Sequence, residues 1–308
     1  MNISLISTRN FLFFSSYIFI FIVTSSSCSM IYNSASVRDK LINKIPESEQ
    51  SYKLETEGDS YFFKRESKDK LKTALSIWKT AARLSPSARI YVKLARGHYF
   101  LGDAFYGLKN DYKKRDKNFI IGLDFAMKSL RYSAPKVMKE VDSGVKFYKA
   151  IRNAPKEAVP SMYWYSTCLC SWAASKGFIT CLRYKDDIKS IIDTLKSLDQ
   201  NYFFAGPIRY SAIYQAITAG LAGGSLDKSK SYFLQAMKLA PDYFATKVLC
   251  AKYLATKIKN YNIFKKLLNE VLMADPEINP LIIPENKAEQ IKAKQLLLDI
   301  EKYFLNMK

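Results

Sequence analysis

The stretch Ala74–Tyr106 constrains the fold more than any other part of the chain, because it reads as two amphipathic helices separated by a proline. Its apolar residues recur at three- and four-residue steps, which places them on one face of each helix. Pro86 cannot continue the first helix and can begin the second. The stretch therefore predicts a helical hairpin. Its apolar faces comprise Leu75, Trp78, Ala81, Ala82 and Leu84, then Ile90, Tyr91, Leu94, Ala95, Tyr99 and Leu101.

The same pattern recurs 155 residues later, so the hairpin is a candidate repeat. Alanines at the positions of close helix approach, with an aromatic residue beside them, are typical of tetratricopeptide units. The alternative interpretation is two unrelated amphipathic hairpins. Five positions match at the single offset of 155: Trp78 with Phe233, Ala81 with Ala236, Leu84 with Leu239, Pro86 with Pro241, and Leu94 with Leu249.

The remainder of the chain also has helical periodicity, and no segment has a convincing strand pattern. We therefore predict an all-α fold, a tetratricopeptide-like array of antiparallel helix hairpins with C-terminal capping helices, over residues 67–308. Stacked hairpins of this kind leave a groove on their concave side. The predicted helices are Lys68–Leu84, Ser87–Tyr106, Asp116–Tyr132, Lys136–Ile151, Pro160–Phe178, Tyr184–Leu198, Gly206–Ala222, Asp227–Leu239, Asp242–Ile258, Phe264–Ala274 and Glu285–Phe304.

The N-terminus has the features of an export signal. A single arginine, Arg9, precedes the apolar run Phe11–Val23, and small residues then lead to Cys28. Residues 1–27 are predicted to be a lipoprotein signal peptide, with Cys28 as the lipid-attachment site, and residues 28–66 a polar tether. A plain secretory signal or an uncleaved anchor is the alternative. Ser29 is not an aspartate, which favours the outer membrane, facing the periplasm, over the inner membrane.

Charge and residue types argue against nucleic-acid binding and catalysis. The net charge of +20 is spread along the chain and interleaved with acids. The densest basic run, Lys109–Lys117, is most simply a solvated loop. One histidine, His98, lies beside a packed face, and no catalytic motif, metal set or cofactor site can be read. Cys168, Cys170, Cys181 and Cys250 are expected to be small buried residues, although an oxidising compartment permits a disulfide such as Cys170–Cys181.

Aromatic and arginine residues on two helices are the candidate binding site. Tyr163, Trp164 and Trp172 lie on one helix, and Tyr210 and Tyr214 on another. Part of this set is expected to line the groove or a central pore, with core packing as the alternative. The two nearby arginines can bind a carboxylate, unless they form only surface salt bridges. They are Arg96 and Arg209.

These stretches resemble the tetratricopeptide-like lipoproteins that accompany tripartite ATP-independent periplasmic (TRAP) transporters, the T component or TatT family, over roughly residues 70–304. The resemblance implies a non-enzymatic periplasmic accessory that binds the solute-binding P protein and forms a homo-oligomer, with a trimer among the assemblies it allows. Ser211, where a glycine is expected, and Ser25 in the cleavage motif depart from the pattern. The alternative function is an envelope scaffold or outer-membrane assembly lipoprotein. The resemblance rests on the segments ALSIWKTAARLSP, LARGHYFLGDAFY, PSMYWYSTCLCSW, GGSLDKSKSYFLQAMKLAPDYFATKVLCAKYLA and FKKLLNEVL.

Replacing Cys28 with serine tests the predicted anchor. A serine hydroxyl cannot carry the thioether-linked lipid, so Cys28→Ser should block processing or move the protein from the membrane fraction to the soluble fraction. Cell fractionation and electrophoretic mobility are the measurements. A variant that fractionates and migrates like the wild type would contradict lipidation.

Overall fold

The computed structural model describes residues 49–220 and 222–304, and within these ranges it is built of α-helices. The predicted all-α class is confirmed, since the described residues contain only one isolated β-bridge, between Ala219 and Gly224. The predictions for residues 1–48, including Cys28, lie outside the described ranges. No described helix has the length and apolarity needed to cross a bilayer.

The helices are numbered in chain order. They are α1 (Glu49–Phe63), α2 (Lys68–Leu84), α3 (Ala88–Phe100), α4 (Tyr112–Ser133), α5 (Pro135–Asp142), α6 (Phe147–Ala150), α7 (Val159–Lys176), α8 (Phe178–Arg183), α9 (Lys185–Asp199), α10 (Tyr202–Thr218), α11 (Leu226–Leu239), α12 (Ala245–Leu249), α13 (Tyr261–Met273), α14 (Ile283–Leu298) and α15 (Ile300–Phe304). Two π-helical segments follow α3 and α12; they are π1 (Leu101–Gly107) and π2 (Cys250–Ala255).

Within the polar tether predicted over residues 28–66, residues 49–63 form helix α1, which packs against α2. The hydroxyl of Ser51 donates to the carbonyl of Ala81 at 3.1 Å, and the Trp78 indole donates to the carbonyl of Glu55 at 3.3 Å. Gly58 lies flat against the Trp78 ring, where a Cβ would collide with the indole. Small and polar residues, rather than an apolar stripe, form much of the buried face of α1, so its sequence gives only a weak helix signal.

Serine caps and a proline set the bounds of the first predicted hairpin. Ser67 accepts a hydrogen bond from the backbone amide of Lys70 and begins α2, and Ser87 does the same for Ile90 and α3. Side-chain acceptors of this kind satisfy amides that have no partner within the helix. Helix α2 has the predicted bounds, whereas the predicted Ser87–Tyr106 helix changes to π geometry from Leu101 onward.

The second hairpin repeats the core of the first. Trp78 and Phe233 are both buried, as are Ala81 and Ala236, and in each hairpin the second helix continues into a π segment. Leu84 and Leu239 do not belong to the core, because they are 41% and 47% exposed. The shared positions are therefore those of helix contact, and the assignment of the hairpins to the tetratricopeptide type stays a prediction.

Three segments differ from the predicted helix pattern. Helix α4 begins at Tyr112 with Asp111 as its cap, so most of the predicted basic loop is helical. The predicted Lys136–Ile151 helix is broken at Gly144, whose φ of 95° is left-handed and favours glycine. Gly177, also at 95°, ends α7 and precedes the short helix α8, which the sequence pattern did not indicate.

The largest core cluster is built mainly from α4, α7 and α9, and Ala95 of α3 packs into it. Gly122 makes room on α4 for Cys168, whose sulfur a Cβ at that position would crowd. His98 is buried, its Nδ1 lies 2.9 Å from the side-chain oxygen of Asn118, and burial lowers its pKa to about 4. The four described cysteines are free thiols, and burial raises the pKa of Cys170 and Cys250 to about 12.

Overpacking either hairpin tests the inferred helix contacts. Ala81→Leu and Ala236→Leu should each lower the free energy of unfolding by about 1–3 kcal/mol, because both alanines are fully buried and leave no room for three more carbons. Thermal and urea unfolding are the measurements. Lys72→Leu, on the exposed face of α2, is the matched control and should change stability little. Unchanged melting of both alanine variants would contradict the packing.

Candidate functional site

A cavity of about 660 Å³ lies among α3, π1, α7, α10, π2 and α14. Its volume is in the range typical of small-molecule sites. One part of its wall is aromatic, and we call Tyr163, Trp164, Phe203 and Tyr243 the aromatic wall. Another part carries ionisable side chains from π1 and α14. A second cavity of about 100 Å³ shares nine lining residues with the large one, Tyr210 among them, and is lined mainly by apolar residues.

The aromatic wall is a contact network between α7 and the start of α10. The ring centroids of Tyr163 and Trp164 are 5.1 Å apart, and those of Trp164 and Phe203 are 4.9 Å apart, both in edge-to-face geometry. Phe203 also meets Tyr243 edge-on at 5.9 Å. Edge-to-face pairs at these distances are favourable arrangements of aromatic side chains. The wall is therefore a fixed apolar surface facing the cavity.

Phe203 reaches the cavity because the backbone around it is left-handed. Phe203, Phe204 and Ala205 have φ angles of 46°, 58° and 55°, and regular helix resumes at Gly206. Such dihedrals cost roughly 1–2 kcal/mol per non-glycine residue. Gly206 then allows the Tyr163 ring to pack directly on its Cα, where a Cβ would clash. Strained backbone of this kind clusters at functional sites in proteins.

Arg209 holds this turn from within the wall of the cavity. Its guanidinium donates to the carbonyl of Phe204 at 2.7 Å, to the Tyr163 hydroxyl at 3.0 Å and, weakly, to the carbonyl of Phe203 at 3.4 Å. It also lies 4.5 Å from the ring centroid of Tyr243. Burial raises the pKa of the Tyr163 hydroxyl, and Arg209 partly offsets that rise. None of the hydrogen-bond acceptors of Arg209 within the described ranges is a carboxylate.

A buried ion network joins the cavity to the N-terminal helices. Glu285 of α14 accepts two hydrogen bonds from Arg65, at 3.1 and 2.5 Å, and one from Arg96 at 3.1 Å. The Arg96 guanidinium lies 5.0 Å from the ring centroid of Phe203 and 5.9 Å from that of Trp164. The Nε of Arg96 is buried with no hydrogen-bond partner among the described residues.

A second ion network joins π1 to α14. Lys292 contacts the carboxylates of Asp103 and Glu289, each at 2.6 Å. Burial raises the pKa of Glu289, and Lys292 opposes that rise. This network shares one ammonium group between two acids, so its formal charge is −1.

The structure brings together four of the seven predicted groove residues on the large cavity: Tyr163, Trp164, Arg209 and Tyr210. Tyr214 lines only the small cavity, beside Tyr210. Arg96 contacts the aromatic wall from behind. Trp172 lines neither cavity, packs edge-to-face on Tyr184 at 5.8 Å, and has a buried indole nitrogen without a hydrogen-bond partner among the described residues.

Several residues of the cavity were not predicted. Phe203 and Tyr243 lie outside the regular apolar patterns, and the sequence offers no local signal for the left-handed turn. The charged residues of α14 did leave a signal, because Glu285, Glu289 and Lys292 are spaced by four and three residues and so share one helix face. The sequence prediction gives this helix only a capping role.

Comparison with known proteins points to a family. A family model described as TRAP transporter T-component matches residues 93–304, more than two thirds of the chain. No curated protein matches in a sequence search. The matched range begins within α3, and it includes every residue that lines the two cavities.

Removing the charge of Glu285 tests the ion network that supports the cavity. Glu285→Gln should lower the free energy of unfolding by about 3–5 kcal/mol, because it leaves Arg65 buried without its counter-charge. Urea unfolding is the measurement. The control is Glu277→Gln, which breaks an exposed contact with Lys287 and should leave the unfolding midpoint nearly unchanged. Equal effects of the two changes would contradict a structural role for the network.

Proposed function

Because the chain belongs to the TRAP transporter T-component family, we propose that it is a periplasmic accessory subunit that binds the solute-binding P protein and holds a small apolar or organic-acid ligand in the large cavity. The single observation that carries the ligand part is the cavity itself, a pre-formed space of about 660 Å³ with a fixed aromatic wall and few charged groups that lack partners. We propose no catalytic role for any residue.

Helix α8 is the surface that best fits a protein partner at the mouth of the cavity. Phe178 lines both cavities and is 43% exposed, and the next residue, Ile179, is 77% exposed. Exposed apolar side chains at the rim of a binding site favour a docking surface there. Trp164, one of the predicted groove residues, is 3% exposed and can meet only a ligand inside the cavity.

Anchoring and assembly complete the proposal. We propose that the lipid on Cys28 holds the protein at the outer membrane, facing the periplasm, and that the described domain associates as a homo-oligomer, of which a trimer is one form. Residues 29–48 would then be the remaining tether between the lipid and α1. The lipid would keep the protein beside the envelope transport machinery, and the P protein would reach the cavity from the solvent side.

The partner proposal is tested with the full-length protein in mild detergent and the P protein of the cognate TRAP system. Ile179→Glu should weaken association by about 1–2 kcal/mol, about 5- to 30-fold in Kd, because a charge at the centre of an apolar contact must be desolvated. Pulldown and isothermal titration calorimetry are the measurements. Leu281→Glu, at an apolar site 66% exposed outside the cavity lining, is the control and should bind like the wild type.

Two outcomes would contradict the partner proposal. An unchanged Kd in Ile179→Glu would remove α8 from the interface. No association of the wild-type protein at high micromolar concentration, with or without solute, would count against the transporter role and favour the envelope scaffold instead.

A further inference from the structure

The guanidinium of Arg209 is a buried positive charge without a carboxylate partner in the described ranges. Its side chain is 2% exposed, and its hydrogen-bond acceptors are two carbonyls and a tyrosine hydroxyl. These neutral groups fill hydrogen-bonding positions but do not neutralise the charge. A buried ion without a counter-ion is costly, and in proteins such ions are usually paired.

The other cations on the cavity wall differ from Arg209 in this respect. Arg115 pairs with Asp116 at 2.9 Å, and Lys292 pairs with both of its acidic neighbours. Lys252 is exposed, so water solvates its ammonium group. Among the cavity-lining residues that the structure describes, Arg209 is thus the one cation that is both buried and without an acid.

The region around the aromatic wall carries a net positive charge. Arg65, Arg96 and Arg209, together with the acid Glu285 that is hydrogen-bonded to the first two, give +2. The neighbouring network of Lys292 with Asp103 and Glu289 contributes −1, and its Glu289 interacts with Arg209 through space, so the formal charge of the whole region is +1. Arg96 adds a buried Nε that lacks a hydrogen-bond partner among the described residues. An incoming anion in the cavity would therefore meet an unbalanced positive charge beside an apolar surface.

We infer that the cavity binds an amphipathic organic monocarboxylate whose anionic group pairs with Arg209 and whose apolar body lies against the aromatic wall. A carboxylate suits the planar guanidinium, which presents several donors in a fixed plane. The adjoining small cavity, lined by residues such as Ile192, Ile213 and Ile217, extends the apolar surface past Tyr210. This inference rests on the proposed function, since it names the class of ligand that the same cavity holds.

A matched pair of probes separates charge from apolar burial without any mutation. We would titrate the full-length protein in mild detergent with 1-naphthylacetate and with 1-naphthylacetamide, which differ in charge but hardly in shape. The carboxylate should bind about 10- to 100-fold more tightly, as expected for hydrogen bonds to a charged group. Detergent micelles take up the neutral amide more readily, which would by itself weaken its apparent binding, so each Kd is calculated from the free probe concentration measured in micelles without protein.

Variants of two arginines test which guanidinium binds the carboxylate of the probe. Arg209→Met should reduce the affinity for 1-naphthylacetate to that for the amide, whereas Arg115→Met, which removes an already paired arginine from the same cavity, should retain wild-type affinity. Circular dichroism checks whether Arg209→Met folds, since Arg209 also supports the left-handed turn. If that variant does not fold, the comparison of the two probes on the wild-type protein decides whether the cavity binds a carboxylate.

Three results would overturn the inference. They are equal affinity of the wild-type protein for the two probes, no binding of either probe, and an equal loss of carboxylate affinity in Arg209→Met and Arg115→Met. The P protein is absent from these titrations. A failure here therefore rejects the carboxylate while leaving the P-protein association to its own test, and a failed P-protein association leaves the probe result standing.

Discussion

The ion network around Glu285 is the interaction on which the arrangement of the cavity depends. Arg65 and Glu285 are 220 residues apart in sequence, yet their side chains form two hydrogen bonds in a buried setting. Arg65 also donates to the carbonyl of Leu281 at 2.6 Å, just before α14. Charges removed from water need excellent geometry to offset their desolvation, so this pairing fixes how α14 lies against the N-terminal helices. Helix α14 in turn supplies part of the cavity wall.

Arg209 stabilises the left-handed turn of the aromatic wall in a similar way, but it does so through neutral acceptors. Three consecutive residues in the left-handed region lose local stability, and the guanidinium recovers some of it by binding two of their carbonyls. The same geometry leaves the positive charge facing the cavity. A structural role and a ligand role for Arg209 do not compete, because the three hydrogen bonds that it makes leave two of its five N–H donors, and its charge, for a ligand.

Local signals predicted the fold better than the site. Ser67, Ser87 and Pro86 act through backbone hydrogen bonds and fixed dihedrals, which operate within a few residues, so α2 and the start of α3 follow from the sequence. The left-handed turn at Phe203 has no such signal, because Arg209 and Gly206 stabilise it through tertiary contacts. Trp172 was predicted to lie with Trp164 in the groove set, but it lines neither cavity. Each residue turns a helix by about 100°, so eight residues place Trp172 about 80° around α7 from Trp164.

The family match and the ion network around Glu285 cover different parts of the chain. Every residue that lines the cavity lies within the matched range 93–304, so the family resemblance extends to the whole cavity wall. The counter-charge of Glu285 lies outside the matched range, because Arg65 follows α1 and precedes residue 93. Phe62 of α1 also packs on the Arg96 guanidinium, 5.0 Å from its ring centroid. The segment before the matched range is thus part of the electrostatics of the site, and a protein cut at residue 93 would leave Glu285 with only the single hydrogen bond from Arg96.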